Sequence, residues 1–278
     1  MCTLVMLRRP KAPWPILLAA NRDEMNTRPW QPPARHWPDR PDVVAGLDVL
    51  AGGSWLGIND YGVIAAILNR PGTLGPLVDR RSRGELVLEA LDHAEARAAA
   101  EALSDVDPEA YRPFNLIVAD RFEAFWLRHA GSLPGFGYRT ASGTWRQVEP
   151  LQMPGALDEP HDHNQTAAIE CHELPVGLSM ITAHDLDDPT SPRLRHYRPR
   201  FEAAPAPDPA ADDWSTWTDL LADRNSSDGD PRNAMTIVTD GAYGTVCSTL
   251  IALPAWGDPV MKFAAGRPDE TVFAPVEL

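Results

Sequence analysis

The chain has 278 residues, of which 44% are hydrophobic and 23% charged, a globular composition that argues against a disordered or coiled-coil chain. Its 25 lysines and arginines against 39 aspartates and glutamates give a net charge of −14. An acidic surface repels phosphate groups and anionic lipids, and no basic patch stands out, so we expect neither nucleic acid nor a membrane surface as a partner.

The cysteines are Cys2, Cys171 and Cys247, too few and too scattered for a disulfide framework or paired metal ligands. Two apolar runs near the N-terminus, Leu4–Leu7 and Ile16–Ala20, are too short for a signal peptide or a bilayer span. The sequence therefore predicts a soluble cytoplasmic protein.

Two apolar segments at the start of the chain, Thr3–Arg8 and Ile16–Asn21, flank a stretch with three prolines and predict a β-hairpin. A proline-dense loop, Arg28–Pro41, is expected to follow. Glycine-containing turns then separate three predicted short strands, Val43–Leu47, Ala51–Asn59 and Gly62–Asn69.

The clearest helical signal begins at Ser82. Ser82-Arg83-Gly84-Glu85 fits a capping box, and apolar residues then recur with helical period to about Leu103, which predicts one helix or two consecutive ones. The strands predicted after it are Phe114–Ala119, Glu123–Arg128 and Thr144–Val148.

The second half of the chain combines helices and strands. Met153–Thr166 is expected to be a surface loop, and the predicted elements after it are a strand at Gly177–Thr182, helices at Ser191–Glu202 and Trp214–Asp223, and strands at Met235–Thr239, Val246–Leu253 and Val260–Ala264. The proline-alanine connector Ala203–Pro209 is the best candidate for a domain boundary. Strands at both ends of the chain nevertheless favour a shared core, so we expect residues 1–278 to form a single domain.

Cys2 has chemical significance because methionine aminopeptidase removes Met1 when the next side chain is small. Cys2 would then carry a free α-amine beside its thiol. Such an amine has a reference pKa of about 7.7 to 8.0, so it can accept the thiol proton as a general base. The nucleophile and its base could thus come from one residue, although the alternative is an ordinary buried cysteine.

The hairpin brings a cation to this cysteine. A loop centred near Ala12 puts Leu4 opposite Ala20 and Cys2 opposite Arg22, roughly 5 Å apart at Cβ. A guanidinium there favours the thiolate, and Asp23 could orient the α-amine. A register slip of one residue would turn these side chains to the other face.

Beside Cys2, the sequence contains the motifs Asn21-Arg22-Asp23-Glu24, Gly52–Asn59, Asn69-Arg70 and Ser82-Arg83-Gly84. Together they resemble the NRDE family, also called the transport and Golgi organisation protein 2 family. The resemblance implies an N-terminal-nucleophile hydrolase fold, which is an α+β, four-layer αββα sandwich of two stacked antiparallel sheets flanked by helices. The same superfamily contains bile-salt hydrolases and penicillin V acylases, which cleave amides with an N-terminal cysteine.

The resemblance also implies roles for individual residues. Cys2 matches the nucleophile, Arg22 the arginine near it, Asp23 or Glu24 the carboxylate that orients the amine, and Asn69 the oxyanion-hole asparagine. The substrate-binding candidates within the motifs are Asn21, Glu24, Trp55 and Asn59.

Two positions depart from the family's pattern. Met180 follows Gly177-Leu178-Ser179 where an asparagine is expected, and Val246 follows Gly244-Thr245 where an arginine is often found. These departures bear on the substrate class and on hydrolysis itself, because fold and chemistry can separate.

More than one function therefore stays open. The first is a cysteine hydrolase that cleaves a C–N amide bond in a small substrate. The second is a non-catalytic carrier of haem or lipid, in which cysteine or histidine would bind haem iron transiently. A plain interaction domain is the third. His161-Asp162-His163 has ligand-type side chains but no partner cluster, so we expect no metal ion and no resident cofactor.

Overall fold

The computed structural model describes residues 2–131, 137–139, 145–147 and 168–278. The helices are α1 (Gly84–Leu91), α2 (Ala96–Ser104), α3 (Pro192–Ala203) and α4 (Ser215–Leu221). The strands are β1 (Thr3–Arg8), β2 (Ile16–Met25), β3 (Trp30–Ala34), β4 (Val43–Asp48), β5 (Leu56–Asn59), β6 (Ile64–Asn69), β7 (Phe114–Ala119), β8 (Ala124–His129), β9 (Gly137–Arg139), β10 (Trp145–Gln147), β11 (Ile169–Glu173), β12 (Gly177–Ile181), β13 (Tyr243–Leu253), β14 (Val260–Ala264) and β15 (Ala274–Pro275).

Two antiparallel sheets carry the structure. One has six strands in the order β12-β1-β2-β13-β14-β15, and the other has seven in the order β11-β8-β7-β6-β5-β4-β3. Strands β9 and β10 pair separately. Strands from both ends of the chain therefore share the six-stranded sheet.

Three apolar layers hold the sheets and helices together. Leu18 and Ile117 lie in the layer between the sheets. Val87 of α1 packs in the layer on the seven-stranded sheet, and Leu17 and Trp217 lie between the six-stranded sheet and helices α3 and α4. Neighbouring residues of β2 point into opposite layers because side chains alternate along a strand. The predicted four-layer αββα sandwich is confirmed.

The N-terminal hairpin has the register expected from the sequence. Leu4 pairs with Ala20 and Arg8 pairs with Ile16. Strand β2 continues to Met25, and its last residues pair with β13. The register therefore directs Cys2 towards the Arg22 end of β2.

The prediction that Arg28–Pro41 is only a loop is wrong, because β3 (Trp30–Ala34) lies within it and forms the edge of the seven-stranded sheet. Its pairing with β4 is irregular between Gln31 and Ala34, the stretch that contains two prolines. Proline cannot donate a ladder hydrogen bond but is tolerated on an edge strand. The strand predicted at Ala51–Asn59 begins only at Leu56.

The helical prediction after Ser82 holds as two consecutive helices, but its capping box does not form. The N-cap residue is Arg83, whose side chain makes no capping bond. The hydroxyl of Ser82 accepts from the Gly84 N–H at 3.3 Å, while Glu85 accepts from Arg81 at 2.8 Å.

The strand predicted at Met235–Thr239 is absent from the described structure. The Thr236 N–H donates to the Asp223 carbonyl at 2.9 Å, and the Ile237 N–H donates to the Thr245 hydroxyl at 2.8 Å. Because these bonds replace a strand ladder, the segment is irregular.

Some predictions fall on parts of the chain that the structure leaves undescribed. Met153–Thr166, which includes His161-Asp162-His163, lies outside the described residues, and only Trp145–Gln147 of Thr144–Val148 lies within them. In the described ranges, no helix is long and apolar enough to cross a bilayer, and no cluster of three acidic, histidine or cysteine side chains could hold a metal ion.

Candidate functional site

A cavity of about 420 Å³ opens where the ends of β2 and β6 meet the start of α1. Among the residues that line it are Cys2, Arg22, Glu24, Trp55 and Asn69. The structure thus brings together candidates that come from four separate stretches of the sequence.

The Cys2 thiol rests against the backbone at the end of β2. Its Sγ accepts from the Asp23 N–H at 3.4 Å and lies 3.5 Å from the Asp23 carbonyl oxygen. Burial raises the pKa of the Cys2 thiol, and the Asp23 carboxylate raises it further, against a smaller opposite effect of the Arg22 guanidinium. The thiol is therefore protonated at neutral pH in the described structure and needs a base to become a nucleophile.

Arg22 is almost fully buried and is held over an aromatic ring. Its guanidinium carbon lies 4.2 Å from the centroid of the Trp55 ring, and its Nη2 lies 3.6 Å from the nearer carboxylate oxygen of Asp48. Its Nη1 is buried without a hydrogen-bond partner among the described residues. A planar guanidinium with an unsatisfied donor can bind the carbonyl or carboxylate of a ligand.

Asp23 lies on the opposite face of β2, towards α3. Its side chain is fully buried, accepts a hydrogen bond from the Thr245 hydroxyl at 2.6 Å and pairs with Arg193 at 3.2 Å. Arg193 also donates to the Thr3 hydroxyl at 2.6 Å. The carboxylate therefore sits beside the first residues of β1.

Asn69 is the last residue of β6, and Glu24 lies two residues after Arg22 on β2. The side-chain amide of Asn69 makes no hydrogen bond to another described residue, so its donors are available to a ligand. Glu24 accepts from the Met25 N–H at 2.8 Å and lies 3.9 Å from Arg28.

The remaining candidates, Asn21 and Asn59, are buried and do not line this cavity. The Asn21 amide donates to the carbonyls of Leu221 and Met235, both at 3.0 Å, and its oxygen accepts from Ser248. That amide is fully committed to the fold, although Asn21 lines a smaller adjoining pocket with Cys2, so its role in substrate binding stays a prediction.

Asn59 is committed in the same way. Its amide donates to the carbonyls of Leu91 and His93 at 2.8 and 2.7 Å, and its oxygen accepts from the N–H groups of Tyr61 and Val63. Asn59 therefore joins the end of α1 to the β5–β6 turn, away from this cavity, and its role in substrate binding stays a prediction.

The amino-acid sequence is similar to a known protein family and to individual members of it. The family profile described as Transport and Golgi organisation 2 matches residues 1–261. The chain belongs to this family. Over 110 residues it is 38% identical to the Transport and Golgi organization protein 2 homolog of Bos taurus and 37% identical to that of Homo sapiens. Each match covers 38% of this chain and 38% of the relative.

A solved structure supports the fold of this Transport and Golgi organisation 2 family member. The Caenorhabditis elegans N-acylethanolamine-hydrolyzing acid amidase ortholog matches 99% of this chain and 100% of its own, with a TM-score of 0.54 and 14% identity. Identity at this level shows the fold alone. The architecture is that of the N-terminal-nucleophile hydrolases.

The two positions that depart from the family's pattern lie away from the cavity. Met180 is fully buried in the layer against α3 and α4. Val246 lines a different pocket, together with Trp30 and Arg267. Neither residue lines the cavity at Cys2.

Sequence reasoning missed most of the cavity's charged lining. The missed charged residues are Arg28, Asp48, Arg80, Arg81, Arg83 and Arg112. The run Arg80-Arg81-Ser82-Arg83 is visible in the sequence as a local basic segment, whereas nothing local marks Arg112. Gly46 was also missed, although a Cβ there would lie 2.3 Å from the Trp55 ring, so glycine makes room for the ring that supports Arg22.

Proposed function

We propose that the chain is a cysteine hydrolase that cleaves a C–N amide bond in a small substrate, with Cys2 as nucleophile after removal of Met1. The observation that carries the proposal is the placement of the Cys2 thiol, the unsatisfied Arg22 guanidinium and the free Asn69 amide around one cavity. The hydrolase-type fold supports it.

In the proposed reaction, the α-amine of Cys2 accepts the thiol proton, and the thiolate attacks the amide carbonyl. The Asn69 amide and Arg22 stabilise the negative oxygen that develops, and one such donor contributes about 2.7 to 4 kcal/mol in known enzymes. The α-ammonium then donates its proton to the leaving amine as the C–N bond breaks. Water hydrolyses the thioester and frees the acid.

The surroundings of Asp23 support this use of the amine. Its buried carboxylate and the hydroxyl of Thr3, the residue after Cys2, both accept from the Arg193 guanidinium. A carboxylate at this position favours an ammonium and orients it towards the sulfur. An ammonium beside the sulfur would in turn lower the pKa of the thiol.

A carrier of haem or lipid is the second candidate, for a chain that keeps Met1. In that chain the nitrogen of Cys2 is an amide and cannot act as a base. The raised pKa of the Cys2 thiol then keeps it protonated and a poor nucleophile, so haem or lipid would be held by the cavity rather than by a bond to the sulfur. We also propose that the protein is located in the cytoplasm. All three cysteines are unpaired, which is typical of a reducing compartment.

The decisive experiment combines intact-mass spectrometry with trapping of the thioester. We expect the purified protein to lack Met1 and, when mixed with a panel of acyl amides and quenched in acid, to carry an acyl group on the peptide that contains Cys2. Cys2→Ala should remove both the adduct and hydrolysis, whereas Cys171→Ser, at an exposed cysteine, should keep both. Retained Met1 with no adduct from any amide, combined with saturable haem or lipid binding, would overturn the hydrolase in favour of the carrier.

A further inference from the structure

The cavity at Cys2 is rich in arginine, although the chain as a whole carries a net charge of −14. The arginines that line it are Arg22, Arg28, Arg80, Arg81, Arg83 and Arg112. Among the described residues that line it, the acidic ones are Glu24 and Asp48. Arginines therefore outnumber carboxylates in the lining of this cavity, although the protein as a whole is acidic.

Several of these arginines are neutralised by carboxylates. Arg28 pairs with Asp48 at 2.7 Å, a carboxylate that also lies near Arg22. Outside this pair, Arg80 bonds Glu109 at 2.9 Å. Arg81 bonds two glutamates of α1, Glu85 and Glu89, at 2.7 and 3.0 Å.

Arg83 and Arg112 have no carboxylate partner among the described residues. Arg83 donates through Nη1 to the Thr73 hydroxyl and the Pro113 carbonyl, and through Nη2 to the Thr73 carbonyl, at 2.8 to 2.9 Å. The acceptors of Arg112 are the carbonyl oxygens of Gly72, Leu74 and Gly75, at 2.8 to 2.9 Å. Neutral oxygens fix both guanidiniums in place and leave their charges uncompensated.

Each of the two guanidiniums keeps N–H donors that its hydrogen bonds do not use. A guanidinium has five N–H donors, and three hydrogen bonds from Nη1 and Nη2 leave the Nε–H and one Nη2 hydrogen. This applies to Arg83 and Arg112 alike, because neither Nε makes a hydrogen bond with another described residue. Two donors on one guanidinium match the two oxygens of a carboxylate or a phosphate.

The electrostatics of Arg83 connect it to Cys2. Burial lowers the pKa of Arg83 to about 10, and the positive charge of Arg112 contributes to the same decrease. Burial also lowers the pKa of Arg112. A thiolate at Cys2 and the Glu24 carboxylate act in the opposite direction on Arg83. Arg83 is thus cationic at neutral pH, is repelled by Arg112, and lies within electrostatic reach of Cys2.

We propose that Arg83 and Arg112 form an anion subsite that binds a carboxylate or phosphate group of the ligand, at a distance from the bond that Cys2 attacks. This inference rests on the proposed function for the identity of the reacting bond and narrows its substrate class to amides that carry an oxyanion. An anion bound between the two guanidiniums would relieve their mutual repulsion and use donors that are already held in place.

The test is titration of the Cys2→Ala protein with anions in a low-salt, zwitterionic buffer. Inorganic phosphate, pyrophosphate and glutarate would each be followed by calorimetry and by the shift in Tm, so that phosphate and carboxylate ligands are distinguished. We expect saturable binding of at least one probe, about tenfold weaker in Arg83→Gln and in Arg112→Gln. The matched control Arg81→Gln removes an arginine of the same cavity that already has carboxylate partners, and it should change the dissociation constant less than about twofold.

Arg83→Lys and Arg112→Lys guard against loss of the fold, because lysine keeps the charge while it loses the paired donors. These variants should fold and bind the anion with intermediate affinity. Absence of saturable binding to all three probes, or equal weakening by Arg81→Gln, would overturn the subsite. Binding is measured on the Cys2→Ala protein, which cannot turn over, and hydrolysis is measured on the native chain. Anion binding by the first without hydrolysis by the second would refute the proposed enzyme only. Hydrolysis of amides that carry a carboxylate or a phosphate, with a KM that is insensitive to Arg83→Gln and Arg112→Gln, would refute the subsite only.

Discussion

The reactivity of Cys2 depends on a single covalent change next to it. With a preceding residue attached, burial and the Asp23 carboxylate keep the pKa of its thiol above the ordinary value. A free α-ammonium would place a positive charge beside the sulfur and lower that pKa, and each unit of decrease gives about tenfold more thiolate at neutral pH.

We therefore expect Cys2 to react with iodoacetamide at least about tenfold faster at pH 7 when it is the first residue than when an uncleaved N-terminal tag precedes it. In the tagged chain the rate should keep rising beyond pH 9, because deprotonation requires a pH near the raised pKa. Peptide mass spectrometry measures both rates. Cys171, which is exposed in the same molecule, is the internal control and should react equally in the two chains. Equal rates at Cys2 would contradict the role of the amine.

Asp23 has a structural role beside its proposed catalytic one. Its pair with Arg193 is buried, with the two side chains 0% and 3% exposed. Breaking a buried pair at one partner costs about 3 to 5 kcal/mol, because a charge stays buried without its counterpart. Asp23→Asn should therefore lower the free energy of unfolding by about this amount in urea denaturation.

The matched control for Asp23 is Asp230→Asn, at a partly exposed aspartate that bonds the exposed Arg232 on the surface. Surface ion pairs contribute little to stability, so this variant should unfold near the midpoint of the native chain. If Asp23→Asn were equally stable, the buried pair would not support this end of β2.

At the scale of elements, the site depends on a close backbone contact between the turn after β4 and the start of α1. The Ser54 N–H donates to the Gly84 carbonyl at 3.0 Å. A Cβ on Gly53 would lie 2.5 Å from the carbonyl carbon of Gly84. Glycine at these positions therefore lets α1 present Arg83 to the cavity next to Trp55.

Gly53→Ala should push the start of α1 away and lower the free energy of unfolding by about 1 to 3 kcal/mol, the usual cost of overpacking. Urea denaturation measures the loss. Gly241→Ala is the control, because its nearest non-neighbour atom would be 3.6 Å from the new Cβ, an ordinary contact. Equal stability of the two alanine variants would show that the turn yields without cost.

These elements also show what the sequence could and could not predict. The hairpin register followed from the position of the proline segment, and the two helices after Ser82 followed from apolar periodicity. Strand β3 was missed because its prolines argue against a strand, and only its position at a sheet edge makes them acceptable. The local sequence pattern did not reveal the pairing of β3 with β4.

The sequence predicted part of the site, as it predicted part of the fold. Asn59 and Asn69 both end strands of the same sheet, yet Asn69 lines the cavity while Asn59 fastens α1. Because β5 and β6 are antiparallel, their last residues lie at opposite edges of the sheet, and neither motif alone shows which edge holds the cavity. Arg112 lies far from Arg83 in sequence, and only the packing of β7 beside β6 brings their two segments together.

At the scale of the whole molecule, the two ends of the chain are inseparable in the six-stranded sheet. Strand β13 pairs with the full length of β2, from Met25 opposite Tyr243 to Ile16 opposite Leu253. The proline-alanine connector lies between α3 and α4, and both helices pack into the same apolar layer on this sheet. A domain boundary at the connector would divide one core.

We therefore propose a single domain and expect one cooperative urea transition, with coincident curves from far-ultraviolet circular dichroism and tryptophan fluorescence. A fragment that ends at residue 204 should not fold, because β2 would lose its partner β13 and the layer under α3 would lose Trp217. Two separated transitions, or native-like hydrogen exchange in the fragment, would contradict the single domain. Because Asn21 bonds the carbonyls of Leu221 and Met235, the fragment also lacks groups that hold β2 beside Cys2, so loss of thiol protection at Cys2 should accompany the loss of structure.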